Sequence, residues 1–276
     1  MREAVIWLSQ FIFAGTNPIM AKKNLKKRPW GIIFVFIFTT IFIFFANAIY
    51  EWYVEKKSHE VWFHEFGIGI PVNYEIHGID VSKYQDYIDW GSVKAMTVEK
   101  VKIGFAFIKA TEGLENEDEL FNRNWRKIKE AGLTRGAYHF FLATKSGKAQ
   151  AENFIKSVTL VSGDLPPVLD IEQSYGVPSG KLKERATEWL ETIRAYYGIT
   201  PMIYTNVDFY DRYLKDDFDK YPLWVAHYLQ PEHPRIARAW SFWQHSENGR
   251  VKGIYTRVDF NVFNGDSTEF KKILLN

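Results

Sequence analysis

Two carboxylates lie two residues apart near the middle of the chain, in the stretch PPVLDIE at residues 166–172. The apolar residues of this stretch predict a buried strand, and side chains alternate between the two faces of a strand. Asp170 and Glu172 should therefore point the same way, roughly 6.6 Å apart along the backbone. Two like charges on one face are costly to bury, so the pair indicates acid–base chemistry. The alternative is a structural pair that caps a helix or meets an arginine.

Polar side chains also lie in or at the ends of the other predicted strands. They are Asp80, Lys109, Thr111, Glu112, Tyr138, His139, Tyr204, Asn206, His227, Gln244, His245 and Asp259. In a (β/α) barrel, the carboxyl ends of the strands form the rim on which active sites are built. The first and eighth strands of a closed barrel are neighbours. Asp80, Asp170, Glu172 and Asp259 should therefore converge.

A cluster of acids suits the hydrolysis of a glycosidic bond, in which carboxylates flank the bond and one of them must be protonated. Crowding several acids raises the pKa of at least one of them, which provides this proton donor. The sequence has no glycine-rich phosphate loop and no G-x-S-x-G motif. We predict neither a cofactor nor a metal. A metal centre built from Asp80, Asp170, His139 and His227 is the alternative.

The elements that must position these acids are short apolar strands separated by helical stretches. Strands are predicted at 76–81, 101–110, 136–141, 167–171, 201–205, 223–227, 239–244 and 258–262, and helices at 117–131, 146–158, 181–197, 207–214 and 267–275. This alternation predicts an α/β fold with a mostly parallel sheet, and eight strands predict a TIM-barrel-like closure. The helical pattern is weak between the last three strands, so the barrel should depart from regular eightfold symmetry.

An uncharged run at residues 31–49 precedes this domain and is just long enough to cross a bilayer core of roughly 30 Å. Five basic residues lie between positions 22 and 28, so the N-terminus should be cytoplasmic. We predict a cytoplasmic segment at 1–30, a transmembrane signal anchor at 31–50, a juxtamembrane linker at 51–75 and a catalytic domain at 76–276. Cleavage after Ala48 and a start at Met20 are the alternatives.

Composition excludes some classes of function. The chain has no cysteine, which rules out disulfides, a thiol nucleophile and cysteine-ligated zinc. Its 35 basic and 33 acidic residues nearly balance, so nucleic acid is not an expected partner. We expect a monomer.

Several short motifs occur together in a characteristic order. They are HGIDVS at 77–82, IDW at 88–90, FIKATEG at 107–113, GAYHF at 136–140, LDIE at 169–172, IYT at 203–205, WQ at 243–244 and VDFN at 258–261. Together they resemble the glycoside hydrolase family 25 lysozymes over essentially all of residues 76–265. The resemblance implies a flattened β/α barrel. It also implies a muramidase that cleaves the β-1,4 bond between N-acetylmuramic acid and N-acetylglucosamine in peptidoglycan.

The resemblance also implies roles for individual residues. Glu172 matches the family's general acid, Asp170 the acid beside it, and Asp80 and Asp259 the two supporting acids. The residues expected to line the sugar site are Tyr138, Tyr204, Gln244 and His139. An anchored member of this family would lie in the bacterial inner membrane as a single-pass protein. Its catalytic domain would then be periplasmic or extracellular.

The spacing of Asp170 and Glu172 leaves the stereochemical route open, because it falls between the ranges for retention and for inversion. Substrate-assisted catalysis, in which the acetamido group of the sugar attacks, is the route we favour. Three other functions remain to be distinguished: a non-catalytic glycan-binding module, a chitinase-like glycosidase and a metal-dependent deacetylase.

Overall fold

The computed structural model describes residues 30–276, except for the side chains of residues 32 and 54–59. Nearly all of the predicted cytoplasmic segment, and the alternative start at Met20, lie outside the described residues. The chain divides into two compact units between Glu51 and Trp52.

The described chain contains strands and helices close to those predicted. The strands are β1 (Glu60–Phe63), β2 (Ile68–Pro71), β3 (His77–Val81), β4 (Thr97–Val98), β5 (Val101–Glu112), β6 (Asn116–Glu117), β7 (Thr134–Phe140), β8 (Val168–Asp170), β9 (Met202–Asn206), β10 (Leu223–Ala226), β11 (Phe242–Gly249) and β12 (Val258–Phe263). The helices are α1 (Trp30–His59), α2 (Trp90–Ala95), α3 (Phe121–Glu130), α4 (Gly147–Ser157), α5 (Ser179–Tyr197), α6 (Val207–Phe209) and α7 (Ser267–Ile273). All eight strands predicted from the sequence are confirmed, with shifts of a few residues at their ends.

The first helix, α1, is apolar over most of its length. Residues Ile33–Tyr53 are long and apolar enough to cross a membrane, and their described side chains are exposed. The two threonine hydroxyls inside this stretch donate to carbonyls one turn earlier, Thr39 to Val35 at 2.6 Å and Thr40 to Phe36 at 2.7 Å. These hydroxyls therefore need no water, as hydrocarbon surroundings require.

A hairpin of β1 and β2 occupies part of the predicted linker. Four of its apolar side chains, Phe63, Phe66, Ile68 and Ile70, are buried, and Phe66 and Ile70 are fully inaccessible to solvent. The Phe66 ring meets Phe260 of β12 edge to face at 5.4 Å. The backbone amide of Arg250 donates to the Phe66 carbonyl at 2.8 Å. Residues 60–71 therefore contribute to the core, whereas the sequence predicted a linker through residue 75.

Eight strands close the barrel in the order β3, β5, β7, β8, β9, β10, β11 and β12, and β12 returns to β3. The pairings from β3 round to β11 are parallel, but β12 is antiparallel to both of its neighbours. Only eight residues, 250–257, separate β11 from β12. This connection is too short for a parallel crossover, which needs a dozen or more residues. The predicted irregularity is therefore confirmed and has a local cause.

Side chains alternate between the barrel interior and the helices outside. Phe107 of β5 and Trp224 of β10 lie inside and stack at 4.2 Å between ring centroids. Gly136 makes room for the Phe107 ring, since a Cβ there would lie 2.5 Å from it. In β8, Val168 belongs to the inner cluster and Leu169 to the outer one. This alternation turns Asp170, the next residue, toward the interior.

Candidate active site

The four acids predicted from the sequence meet at one end of the barrel. Asp80 in β3 and Asp259 in β12 are directly opposite each other in the antiparallel register. Asp170 is the last residue of β8, and Glu172 lies two residues beyond it. All four line a single cleft of about 260 Å³. Because β12 runs the other way, the beginning of that strand reaches the rim where the parallel strands end.

Asp80 is held by two amide side chains. Gln244 donates to its Oδ2 atom at 2.8 Å, and Asn261 donates to the same oxygen at 2.7 Å. Gln244 also donates to Oδ2 of Asp259 at 3.3 Å. The indole Nε1 of Trp224 donates to Asn261 at 2.7 Å and fixes the orientation of that amide.

Two tyrosines orient Gln244. The hydroxyls of Tyr204 and Tyr228 both donate to its Oε1 atom, at 2.8 and 2.7 Å. Because both tyrosines donate to Oε1, the side-chain amide of Gln244 is oriented with its Nε2 atom toward the carboxylates of Asp80 and Asp259. The network therefore supplies donors on one side of the cleft.

The pair of Asp80 and Asp259 retains one proton at neutral pH. Burial raises the pKa of Asp80 to about 6, and the hydrogen bonds from Asn261 and Gln244 limit this rise. Burial, followed by the negative charge of Asp80, raises the pKa of Asp259 to about 9. At pH 7, Asp80 is thus mainly ionised and Asp259 mainly protonated.

The second pair, Asp170 and Glu172, is also poised to share a proton. Burial, and then the charge of Glu172, raises the pKa of Asp170 well above its usual value. Burial, and then the charge of Asp80, raises the pKa of Glu172. The Lys109 ammonium opposes the rise in the pKa of Asp170. One of these two carboxyl groups is therefore available as a proton donor.

One atom in this cleft lacks a partner among the described residues. The Oδ1 atom of Asp170 is buried and has no hydrogen bond. A buried carboxylate oxygen without a donor is costly, so its proper partner is expected to be a ligand. The rings of Tyr138 and Trp224 line the same cleft as Asp170.

The cleft contains every predicted site residue except one. Tyr138, Tyr204 and Gln244 line it together with the four acids. His139 is fully buried on the other face of β7, where its ring packs against Phe154 and Trp189. Its nitrogens meet Thr111 at 2.7 Å and Gln150 at 3.2 Å.

The placement of His139 has two consequences. The structure does not bring this histidine to the substrate cleft, so the predicted sugar contact has no geometric support. The alternative metal set, which required the same histidine, is not assembled either. Among the described side chains of residues 30–53 and 60–276, no group of three or more histidines or acids is placed to hold a metal ion.

Comparison with known proteins agrees with this geometry. The family model for glycosyl hydrolases family 25 matches residues 79–254. The chain belongs to this family. It is thus a glycoside hydrolase. Because its relatives include lysozymes, it is a muramidase.

This family 25 chain has relatives among curated sequences and among solved structures. It is 45% identical to YegX of Escherichia coli K12 over 206 residues, 75% of this chain and 76% of that protein. It is 35% identical to lysozyme M1 of Streptomyces globisporus over 216 residues, 73% of this chain and 72% of that protein. A solved family 25 glycosyl hydrolase from Bacillus anthracis aligns with a TM-score of 0.67 and 32% identity, covering 79% of this chain and 98% of that one.

The structure adds three cleft or network residues that the sequence did not single out: Trp224, Tyr228 and Asn261. It also places Lys109, one of the polar residues of the predicted strands, in the cleft. Lys109 is mostly buried, 2.6 Å from Glu112 and 4.7 Å from the centre of the Phe140 ring. Asn261 could have been found from the sequence, since it lies two residues from Asp259 on the same strand.

The buried acids should reduce the stability of this family 25 domain at high pH. In the unfolded chain, Asp259 loses its proton above its ordinary pKa of 3.8. In the folded chain, Asp259 keeps this proton up to about pH 9. Stability therefore falls as pH rises from about 4 toward 9. We expect Asp259→Asn to match the wild type near pH 4 and to be about 1 to 3 kcal/mol more stable at pH 8.

Thermal unfolding of the full chain in detergent, measured at both pH values, checks this expectation. The control is Asp211→Asn on an exposed helical surface, which should leave the pH dependence unchanged. If Asp259→Asn raises the stability equally at pH 4 and pH 8, the difference in proton binding between the folded and unfolded chains is not the cause of the stabilisation.

Proposed function

We propose that this muramidase cleaves the β-1,4 bond between N-acetylmuramic acid and N-acetylglucosamine with the help of the substrate's own acetamido group. The observation behind the proposal is the unpartnered, buried Oδ1 atom of Asp170, next to a second carboxyl group on Glu172. A 2-acetamido sugar has an N–H group that can fill this vacant acceptor position. Substrate-assisted routes of this kind are established for acetamido-sugar hydrolases.

Binding of the sugar settles which carboxyl group holds the shared proton. An N–H donor favours the ionised form of Asp170, as the neighbouring Lys109 ammonium also does. The proton then belongs to Glu172, which is less buried and faces the cleft. In this state Glu172 is the general acid and Asp170 orients the acetamido group.

The bond changes follow from these positions. The acetamido oxygen attacks the anomeric carbon, and the bond to the leaving oxygen breaks as Glu172 gives that oxygen its proton. Asp170 stabilises the positive charge on the resulting cyclic intermediate. Glu172, now ionised, takes a proton from water, and this water opens the intermediate with overall retention.

Asp80 and Asp259 support this chemistry from the opposite side of the cleft. Hydrogen bonds from Gln244 and Asn261 keep Asp80 ionised, and its charge raises the pKa of Glu172. A raised pKa extends to higher pH the range in which the general acid holds its proton. The charge of Asp80 also stabilises positive charge that develops at the anomeric carbon.

We also propose that α1 anchors the enzyme in the bacterial inner membrane as a single span. Support comes from the apolar stretch Ile33–Tyr53 and from the basic residues that precede it. The N-terminus would be cytoplasmic and the catalytic domain periplasmic or extracellular. Protease protection of tagged termini in intact spheroplasts would show which end is exposed.

Product analysis with the full chain in detergent tests the reaction. Purified peptidoglycan should yield fragments with N-acetylmuramic acid at the reducing end, first released as the β-anomer. Initial release of the α-anomer would eliminate the acetamido route. A parallel assay on chitin oligomers tests the chitinase-like alternative, which predicts faster cleavage of chitin than of peptidoglycan.

A further inference from the structure

A second cavity adjoins the catalytic cleft along a shared loop. The stretch from the end of β3 to the first turn of α2, the shared loop, contributes Tyr84 and Gln85 to the cleft and residues 87–91 to this cavity. The cavity encloses about 560 Å³, against about 260 Å³ for the cleft. Neighbouring residues of one stretch of chain therefore line both depressions, and the cavity is the larger of the two.

Two exposed aromatic rings belong to this cavity. Tyr87 is 63% exposed and Tyr255 is 95% exposed. The Arg123 guanidinium lies 4.8 Å from the centre of the Tyr87 ring and donates to the Ile88 carbonyl at 3.1 Å. Tyr87 is thus held in place from one side, while Tyr255 contributes almost nothing to the core.

The two loops that bear these tyrosines are fastened together. The amide of Asp89 donates to the Gly253 carbonyl at 2.9 Å, and the side chain of Gln85 donates to the Arg257 carbonyl at 3.0 Å. Gly253 has a φ angle of +91°, and a Cβ there would lie 2.4 Å from the Asp89 carbonyl oxygen. Glycine at position 253 permits this close approach of the two backbones. The contact fixes the two loops relative to each other.

We propose that this cavity is a further glycan-binding site that holds acetylated sugars of the same strand beyond those in the cleft. Tyrosine rings present flat apolar faces at little entropic cost, which suits stacking on sugar rings. The inference rests on the proposed function, since the strand that occupies the cleft continues over the shared loop. Arg123 and Lys127 line the cavity together with Asp89 and Glu130, and Lys127 pairs with Glu130 at 2.8 Å. These polar groups can exchange hydrogen bonds with the acetamido and hydroxyl groups of peptidoglycan sugars.

The test compares long and short substrates with the full chain in detergent. Tyr87→Ala/Tyr255→Ala should lower kcat/KM on long glycan strands about fivefold or more. On the shortest oligomer that the wild type cleaves, its kcat/KM should stay within about twofold of wild type. The control is Tyr196→Ala, which removes an equally exposed tyrosine from α5. Equal losses on both substrates, or no loss on long strands, would overturn the proposal.

Binding to insoluble peptidoglycan separates this proposal from the reaction itself. In a Glu172→Gln background, the double tyrosine variant should bind about fivefold more weakly than the Glu172→Gln protein. Equal binding would overturn the proposed cavity function. If the wild type cleaves nothing, the proposed reaction fails, and the binding comparison still decides the role of the cavity.

Discussion

Glu172→Gln should lose at least about a hundredfold in kcat on peptidoglycan, the low end expected when a general acid is removed. Glutamine has the same shape as glutamic acid but cannot protonate the leaving oxygen. The Glu172 side chain is half-buried in the cleft and uncharged when protonated, so an amide of the same size should not weaken the fold. Release of soluble muropeptides over time measures the loss, and thermal unfolding verifies that the variant is folded.

The pH profile gives this prediction a second readout. In the wild type, kcat/KM should fall as pH rises through the raised pKa of Glu172, because the acid then loses its proton. The residual activity of Glu172→Gln should lack this alkaline limb. Glu184→Gln, on the exposed surface of α5, is the matched control and should behave as the wild type. Equal activity of Glu172→Gln and wild type would show that another residue is the acid.

A variant that begins at residue 72 should fail to fold, whereas one that begins at residue 60 should fold. Both lack α1, so they differ only in the β1–β2 hairpin. The shorter one loses four buried apolar side chains, Phe63, Phe66, Ile68 and Ile70. At 2 to 5 kcal/mol for each, their loss removes roughly 10 kcal/mol, which is comparable to the whole stability of a typical domain.

Circular dichroism and thermal unfolding of the two purified variants measure this difference. The variant from residue 60 should unfold cooperatively, and the variant from residue 72 should be insoluble or lack a transition. Phe66→Ala in the longer variant should fall between them, with a loss of about 3 to 5 kcal/mol. A cooperative transition for the shorter variant at the same temperature would show that the hairpin is dispensable.

Periodicity predicted most of the barrel because its strands are buried on both faces and separated by amphipathic helices. The same reasoning missed β1 and β2, whose side chains do not alternate between buried and exposed positions. Hairpin residues such as Trp62 remain exposed, which weakened the apolar signal further. The role of these strands depends on contacts with β11 and β12, which are distant in sequence.

The site predictions depended on strand direction and on side-chain alternation. Asp259 reaches the cleft because β12 is antiparallel, whereas a parallel strand would have placed its opening residues at the other end. His139 was assigned to the sugar site together with Tyr138, although adjacent strand residues face opposite sides. The period-two rule alone would have separated them. Asn261 and Tyr228 act through hydrogen bonds to other side chains, which a sequence does not reveal.

The meeting of β3 with β12 also governs when the enzyme becomes active. Asp80 and its partner Asn261 are 181 residues apart, so their contact joins the first and last strands of the barrel. During synthesis, the cleft stays incomplete until nearly the whole chain has emerged from the ribosome. Non-local closure of this kind is also slow compared with local folding. Chains that end before β12 should therefore lack hydrolytic activity, because they lack Asn261 and Asp259.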